Sequence, residues 1–312
     1  MSLILFIQFA VASVGYYYPC LSRSELYGLT NRYRPPFLDT PPALCYFSIM
    51  ETREVQVGGV RFGAAAGVVL CAGPCAVESA EQLLATARAV KQAGARVLRG
   101  GAFKPRTNPR AFQGLGAEGL EILAAAKAET GLLLLTEITS VSQIDAFQRI
   151  GVDVFQVGSR NMHNYELLKE LGAADVPVLL KRGYMATVDE FAMAADYLAQ
   201  AGNERVVLCE RGIRTFKTRT RFTLDVAAVP TLKSIAPWPV AVDPSHAAGR
   251  AEYVLPLARA GLAAGADALV VEVHPNPQHA LSDGRQSLDF PAFDALAAEI
   301  KKLATALGRP VA

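Results

Sequence analysis

Four side chains of the sequence combine the donor atoms that transition-metal ions prefer. Cys75 offers a thiolate, His246 an imidazole, and Glu272 and Asp283 each a carboxylate. Together they form a ligand set for one borderline divalent ion of the Mn, Fe, Co or Zn class, and the residue types do not choose among these metals. The four residues are far apart in sequence, so the site depends on a fold that brings them together. A cluster of satisfied polar groups is the alternative interpretation.

A second group of candidate residues is cationic. Its members are Arg99, Lys104, Arg106, Arg160, Lys181 and Arg211. Guanidinium groups match phosphate and carboxylate oxygens through paired hydrogen bonds, and lysine supplies a compact charge. The group exceeds what one phosphate requires, which indicates two phosphorylated substrates or one that also carries a carboxylate. Scattered surface charge is the alternative.

The elements that would position these residues repeat along the chain. Apolar strands are predicted at 68–75, 97–103, 132–138, 154–159, 177–182, 206–211, 239–245 and 268–273, with amphipathic helices between them. Glycines fall where most of the helical patterns end, as left-handed capping residues do: Gly94, Gly131, Gly151, Gly172, Gly202 and Gly265. This repeat predicts an α/β fold, a closed (β/α)8 TIM barrel. An open doubly wound sheet is the alternative, but Gly73-Pro74-Cys75 is not the glycine-rich loop typical of such sheets.

Closure of the barrel gives the ionisable residues a common location. Active sites of such barrels lie at the C-terminal ends of the strands, and strands seven, eight and one become neighbours there. The ends carrying Cys75, His246 and Glu272 then converge, and Asp283 arrives from the loop after strand eight. We expect Glu137, Arg182 and Glu210 to complete a ring at the same barrel mouth.

Other cysteines and histidines of the barrel have simpler interpretations. Cys71 and Cys209 lie in apolar strands and are interpreted as small buried apolar residues. His163, His274 and His279 have no comparable partners, although His274 is near enough in sequence to Glu272 to support the metal ligands.

The N-terminal part of the chain differs from the barrel. Residues 54–57, Gly58-Gly59 and residues 60–62 predict a short β-hairpin that plugs the bottom of the barrel. Residues 1–49 hold an apolar run and two Pro-Pro pairs, and we expect a non-native or disordered extension, with Met50 as the true start and a catalytic domain over 50–312. An ordered cap, a lipid anchor and a weak signal are the alternatives. The run lacks a basic start and is too short to cross a membrane.

Composition limits the classes of partner. Of 312 residues, 51% are hydrophobic and 19% charged, which suits one large core, and the net charge of +2 gives no overall attraction to nucleic acid or membrane. We expect neither as a partner, although a basic run extends from Arg211 to Arg221. The five cysteines are odd in number and widely spaced, unlike a disulfide framework, so a cytoplasmic location is expected.

Several ordered motifs resemble one enzyme family, the 3-deoxy-D-arabino-heptulosonate 7-phosphate (DAHP) synthases. The resemblance covers about residues 54–306 and is nearest to the compact, type Iβ-like branch. It is carried by Gly73-Pro74-Cys75, Leu98 to Thr107 with its Lys104-Pro105-Arg106-Thr107 segment, Leu179 to Gly183, Cys209 to Gly212, Asp243 to His246, Val271 to Pro275 and Leu281 to Gly284.

The resemblance implies a metal-dependent transferase of the shikimate pathway, which makes aromatic amino acids through chorismate. It would condense phosphoenolpyruvate with erythrose 4-phosphate and release phosphate. The implied phosphoenolpyruvate contacts are Arg99, Lys104, Glu137, Gly158, Ser159, Arg160, Lys181 and Arg211. Lys104, Pro105, Arg106, Thr107 and Asp283 would hold the aldose phosphate. Lys104, Cys75 and His246 would act in catalysis. We also expect a homo-oligomer, a dimer or a tetramer.

A related family is the main rival. The 3-deoxy-manno-octulosonate 8-phosphate synthases use arabinose 5-phosphate on a similar barrel, but they typically carry Lys-Ala-Asn-Arg-Ser where this chain has Lys104 to Thr107. Ala76 and Asn108 stand where serine is common in the family, which bears mainly on affinity. Residues 1–49 show no counterpart of the ferredoxin-like domain of some relatives, so no inhibition by tyrosine or phenylalanine is expected.

Overall fold

A computed structural model describes residues 52–63, 66–309 and 311 of the chain. The predicted extension at 1–49, the start at Met50, and Cys20 and Cys45 therefore lie outside the described residues. Cys71, Cys75 and Cys209 are buried and not in disulfides. Among the helices in this part of the chain, none has the length and apolarity that a membrane crossing needs.

The secondary structure alternates between strands and helices, as the repeat predicted. The strands are β1 (Val55–Val57), β2 (Val60–Phe62), β3 (Val69–Gly73), β4 (Val97–Arg99), β5 (Leu133–Ile138), β6 (Val154–Val157), β7 (Val178–Lys181), β8 (Val206–Glu210), β9 (Val240–Val242) and β10 (Ala268–Glu272). The helices are α1 (Ala80–Gln92), α2 (Ala117–Thr130), α3 (Ile144–Ile150), α4 (Tyr165–Ala173), α5 (Val188–Gln200), α6 (Ala228–Ile235), α7 (Pro244–Ala248), α8 (Val254–Ala263) and α9 (Phe290–Ala306).

Strands β3 to β10 form a closed parallel barrel in sequence order, which confirms the predicted fold class. Closure is made by β10 against β3, where Ala268 pairs with Val69 and Glu272 pairs with Gly73. This register places the C-terminal end of β10 beside the segment that leads to Cys75. An apolar cluster fills the space between the strands and the surrounding helices.

The predicted hairpin is also confirmed. β1 and β2 pair antiparallel around Gly58-Gly59, with Val55 opposite Phe62 and Val57 opposite Val60. All four of these side chains are buried and share one cluster with inward-facing barrel residues such as Val69 and Leu135. The hairpin therefore closes the N-terminal end of the barrel, opposite the end where the strands deliver the candidate site residues.

Five of the six predicted helix-ending glycines lie at or just after a helix end. They are Gly94, Gly131, Gly151, Gly202 and Gly265, and each has a positive φ. The prediction for Gly172 is wrong, because this residue lies inside α4. A side chain at that position would collide with Ala201, so Gly172 allows close packing of α4. The left-handed residue after α4 is Asp175, with φ 48°.

Candidate active site and metal centre

The four predicted metal ligands meet at the C-terminal end of the barrel. One ligand atom from each of Cys75, His246, Glu272 and Asp283 lies within 4.8 Å of the other three. Glu272 ends β10, Cys75 follows β3, His246 lies on the short helix α7 after β9, and Asp283 comes from the loop after β10. Barrel closure is thus what brings residues more than 160 positions apart in sequence into one cluster.

The orientation of His246 is fixed by Asp243, which caps the N-terminus of α7. Asp243 Oδ1 accepts from the backbone N–H of His246 at 2.9 Å, and Oδ2 lies 2.7 Å from His246 Nδ1. A proton on Nδ1 shared with Asp243 leaves the lone pair on Nε2, which lies 3.4 Å from Glu272 Oε1 and 3.7 Å from Asp283 Oδ2. Burial lowers the pKa of His246 although Asp243 and Glu272 oppose that shift, so the imidazole is neutral, as a metal ligand must be.

Both carboxylates of the cluster are paired with arginines. Glu272 Oε1 accepts from Arg99 at 2.8 Å, and Asp283 Oδ2 lies 3.2 Å from Arg221. Burial raises the pKa of each carboxyl, but the charge that His246 carries when protonated and the charge of the paired arginine lower it by more, so both pKa values fall below their usual range. The two groups are therefore ionised and able to act as oxygen donors.

Cys75 completes the donor set. Its Sγ lies 3.1 Å from Lys104 Nζ, 3.1 Å from Ser282 Oγ and 3.3 Å from Asp283 Oδ2. Burial and the nearby Glu272 charge raise the pKa of the thiol to about 12, so a cation must replace the thiol proton for the sulfur to bind as thiolate. One sulfur, one imidazole nitrogen and two carboxylate oxygens at these separations fit a borderline divalent ion.

The loop that carries Asp283 is tied to the loop that follows β3, the first strand of the barrel. Glu78 Oε1 accepts from the backbone N–H of Leu281 at 2.9 Å, and its Oε2 lies 3.2 Å from His274 Nε2. Asp283 itself has φ 53°, a left-handed conformation that is uncommon for a residue with a side chain. The Glu78 and His274 contacts thus hold the least regular ligand of the cluster in place, and His274 does so without touching the cluster.

A cationic cavity opens beside this cluster and shares His246 and Asp283 with it. Most of the predicted anion-binding residues line the cavity. These are Lys104, Pro105, Arg106, Glu137, Gly158, Ser159, Arg160, Lys181 and Arg211, joined by Gln156, Tyr184 and Arg221. The Glu137 carboxylate lies so close to residue 158 that a Cβ there would collide with it unless the Glu137 side chain moved.

Two of the predicted substrate contacts, Arg99 and Thr107, are not among the residues that line the cavity. Arg99 is 2% exposed and donates to Glu272 and to the Pro74 carbonyl oxygen, while its Nε has no hydrogen-bond partner among the described residues. Thr107 Oγ1 accepts from the Arg160 guanidinium at 3.1 Å. Arg99 therefore supports the cluster from within, and Thr107 supports Arg160 at the rim.

Arg182 and Glu210 lie at the C-terminal ends of β7 and β8, as expected, but they form a buried ion pair with each other. Arg182 pairs with Glu210 at 2.9 Å and with Asp225 at 2.8 Å, and Glu210 Oε1 accepts from the backbone N–H of Gly212 at 2.6 Å. Neither residue lines the cavity. They fix the start of the loop after β8 instead.

Sequence reasoning missed several residues that the structure places at the site. Asp243 holds both His246 and the Lys181 ammonium, and Gln286 donates to Glu272 at 2.5 Å. Arg221 ends the basic run that begins at Arg211, for which no site role was predicted, yet it reaches Asp283. The sequence could have predicted the role of Asp243, because an Asp before Pro244 is typical of a helix N-cap. No sequence motif or residue spacing predicted that Arg221 belongs to the site.

The chain matches a family model described as the DAHP synthetase I family over residues 48–309. A phospho-2-dehydro-3-deoxyheptonate aldolase from Thermotoga maritima is 48% identical over 258 residues, which cover 83% of this chain and 76% of the relative. A 2-dehydro-3-deoxyphosphooctonate aldolase from Syntrophotalea carbinolica is 32% identical over 252 residues, covering 75% and 90% of the two chains.

The chain is also similar to solved structures of DAHP synthases. A crystal structure of the Thermotoga maritima DAHP synthase superimposes with a TM-score of 0.81 at 47% identity, covering 84% of this chain and 76% of that one. A truncated form of the 3-deoxy-D-arabino-heptulosonate 7-phosphate synthase from Thermotoga maritima gives a TM-score of 0.78 at 44% identity and covers 84% and 95% of the two chains.

Proposed function

The chain belongs to the DAHP synthetase I family, and from that premise we propose that it condenses phosphoenolpyruvate with erythrose 4-phosphate to give DAHP and phosphate. It is a transferase of the first step of the shikimate pathway. The observation that carries the substrate assignment is one cavity that joins a ring of cations to a metal-ligating cluster. Two phosphorylated anions and an aldehyde that needs activation match those two halves.

Phosphoenolpyruvate is assigned to the inner half of the cavity. Lys104, Arg160, Lys181 and Arg211 supply the positive charge, and Glu137, Gly158 and Ser159 lie on the same wall. Arg99 stays in this set because its buried Nε has no acceptor among the residues that the structure describes, and an unsatisfied buried N–H donor costs about 1–3 kcal/mol. A ligand oxygen that reaches it removes this cost.

Erythrose 4-phosphate is assigned to the outer half. Pro105 and Arg106 line the cavity beside Lys104, Arg106 donates to Ser282 Oγ at 2.5 Å, and Asp283 of the metal cluster lines the same cavity. Thr107 would add its hydroxyl to the phosphate site. This arrangement directs the sugar's aldehyde toward the cluster and its phosphate toward Arg106.

In the proposed reaction, C3 of phosphoenolpyruvate bonds to the aldehyde carbon, water adds at C2, and the phosphate on C2 leaves. A divalent ion held by Cys75, His246, Glu272 and Asp283 would supply Lewis acidity, either to the aldehyde oxygen or to the attacking water. Lys104 donates the proton that turns the aldehyde oxygen into a hydroxyl. Its ammonium lies 3.1 Å from Cys75 Sγ, between the cluster and the anion site. Burial lowers the pKa of Lys104, but Cys75 and Glu137 raise it by more, so the proton is present.

The choice of a four-carbon sugar rests on two observations. The DAHP-type relative is 48% identical, whereas the octonate-type relative is 32% identical. In addition, Arg106 directly follows Pro105, so the segment at the rim is the shorter of the two family variants. A five-carbon phosphate would place its charge beyond Arg106.

A phosphate-release assay tests the substrates and the metal together. Phosphoenolpyruvate is supplied with erythrose 4-phosphate or with arabinose 5-phosphate, before and after chelation. We expect release with erythrose 4-phosphate only, lost on chelation. Equal or faster release with arabinose 5-phosphate would overturn the sugar assignment, and no release with either would overturn the proposed function.

Three further expectations complete the proposal. We propose that the chain forms a homo-oligomer, dimer or tetramer, and that residues 50–312 form the catalytic domain. The cytoplasmic location stays a prediction. Size-exclusion chromatography with light scattering measures the oligomeric state.

A further inference from the structure

Arg211 differs from the other buried cations of the molecule. The described residues bury four cationic side chains, which are Arg99, Lys181, Arg182 and Arg211. The first three are paired with Glu272, Asp243 and Glu210. Within the described part of the chain, no carboxylate oxygen lies within the 4.0 Å ion-pair distance of Arg211, which is only 2% exposed. Its hydrogen bond is a long one, 3.4 Å to the Gly212 carbonyl oxygen.

Two aromatic rings occupy the place that a carboxylate takes at the other cations. The Arg211 guanidinium carbon lies 4.2 Å from the centre of the Phe222 ring and 4.9 Å from that of Tyr184. The two rings stack on each other with centres 5.0 Å apart and planes 11° apart. Such distances are those of cation–π contacts, which grow stronger when the cation is shielded from water.

The backbone holds both rings in position. The Phe222 N–H donates to the Ala247 carbonyl oxygen at 2.9 Å, on the helix that carries His246, and the Tyr184 carbonyl oxygen accepts from the Arg214 N–H at 2.8 Å. Residue 212 is a glycine with φ +93°, and a Cβ there would lie 2.7 Å from the Phe222 Cβ. The ring pair is therefore part of the local fold rather than a chance surface contact.

We propose that Tyr184 and Phe222 are positioning residues that hold Arg211 for the phosphoenolpyruvate phosphate. Aromatic rings attract the face of a guanidinium, whereas a carboxylate binds its N–H edge. Arg211 is thus fixed without neutralisation, and its N–H donors stay available to an anion in the cavity. Tyr184 also lines that cavity, 5.6 Å from the Arg160 guanidinium carbon. This inference rests on the proposed function, because it assigns the anion to that substrate.

Calorimetric titration of phosphoenolpyruvate tests the proposal, with steady-state KM values for both substrates as a second readout. Tyr184→Leu and Phe222→Leu remove one ring each and leave every charge in place. We expect each to raise the Kd for phosphoenolpyruvate about 5- to 30-fold, the effect of losing a shielded cation–π contact. The KM for erythrose 4-phosphate should change less than about twofold, and Tyr184→Phe should restore tight binding.

A matched control comes from a second stacked pair away from the site. Tyr165 and Tyr197 stack with ring centres 4.4 Å apart on the outer helices α4 and α5. Tyr165→Leu removes a comparable ring, so we expect a similar change in melting temperature and an unchanged Kd for phosphoenolpyruvate. An equal loss of affinity in this control would show that the effect is general destabilisation and would overturn the proposal.

A double-mutant cycle with Arg211→Lys tests whether the rings act through the guanidinium. Lysine keeps the charge but lacks the planar face, so Phe222→Leu should weaken binding much less in that background than in the wild type. Full additivity of the two changes overturns the inference. If Tyr184→Leu and Phe222→Leu both still bind phosphoenolpyruvate tightly, the inference about the two rings is overturned and the proposed function stands. If the wild-type chain binds no phosphoenolpyruvate, the proposed function is overturned together with the inference.

Discussion

Asp243→Asn is the substitution that most directly tests how the site holds a metal. Asp243 is fully buried and is not among the residues that line the anion cavity, but it contacts His246 and Lys181, which do line it. Burial would raise the pKa of this carboxyl, but His246 and Lys181 hold it well below its usual value. At neutral pH the group is therefore a carboxylate, and asparagine removes its charge while keeping its size.

The expected loss follows from the contact to His246. An amide N–H facing His246 Nδ1 donates a hydrogen bond to it, which favours the tautomer with its proton on Nε2 and so blocks the metal-binding lone pair. Hydrogen bonds to charged groups contribute about 1.5–3 kcal/mol. Loss of such a supporting contact lowers metal affinity by about 10- to 100-fold, or about 1.4–2.7 kcal/mol. The two estimates agree.

Asp267→Asn is the matched control. Asp267 is also fully buried and pairs with Lys233 at 2.8 Å and with Arg309 at 3.0 Å, but it lies at the N-terminal end of β10, away from the metal cluster. Both variants remove a charge from a buried ion pair, so both lower the melting temperature. We expect only Asp243→Asn to weaken metal binding.

The assay is a competition titration of metal-stripped protein against a chromophoric chelator, with Mn²⁺ and Zn²⁺ in parallel. The expected result is a Kd for the metal raised about 10- to 100-fold in Asp243→Asn and unchanged in Asp267→Asn. Wild-type affinity in the first variant, or an equal loss in both, would refute the argument that Asp243 orients His246.

Three further outcomes are expected. Lys104→Ala should lower turnover at least about 100-fold, because it removes the proposed proton donor, with a melting curve near that of the wild type; near-normal phosphate release would contradict this role. Chelation should abolish turnover and added Mn²⁺ or Zn²⁺ should restore it, and activity that survives complete metal removal would exclude the proposed cluster. Phe62→Ala should lower the free energy of unfolding by about 3–5 kcal/mol in a denaturant titration, since the ring is 1% exposed between the hairpin and the barrel interior. Gln56→Ala, on the exposed face of the same hairpin, is its control, and equal losses in the two variants would contradict this account.

The barrel was predictable because parallel strands covered on both faces leave continuous apolar runs, as at Leu132 to Leu135. The strand ends were less predictable. The strand predicted at 97–103 stops at Arg99, although Gly100, Gly101 and Ala102 remain buried. Burial continues into the loop at the barrel mouth, so hydrophobicity alone does not mark where strand pairing ends.

The site likewise contains residues that the sequence predicts and residues that it does not. The four cluster residues were predictable because strand order and closure determine which strand ends meet. Arg221 was not, because it reaches Asp283 only when the loop after β8 folds back on α7, with the Arg221 N–H donating to the Ala248 carbonyl oxygen. Such a loop contact depends on tertiary structure and leaves no period in the sequence.

The metal-ligating cluster and the cations around the cavity interact electrostatically. Each ligand is in contact, directly or through one residue, with a cation that lines or backs the anion cavity: Cys75 with Lys104, Glu272 with Arg99, Asp283 with Arg221, and His246 with Lys181 through Asp243. These cations keep the buried carboxylates ionised before a metal arrives. A divalent ion held by the four ligands would supply positive charge in their place, and the four cationic partners would then be available to substrate anions. Metal and phosphoenolpyruvate should therefore bind cooperatively, each raising the affinity for the other by the same factor, as linkage requires.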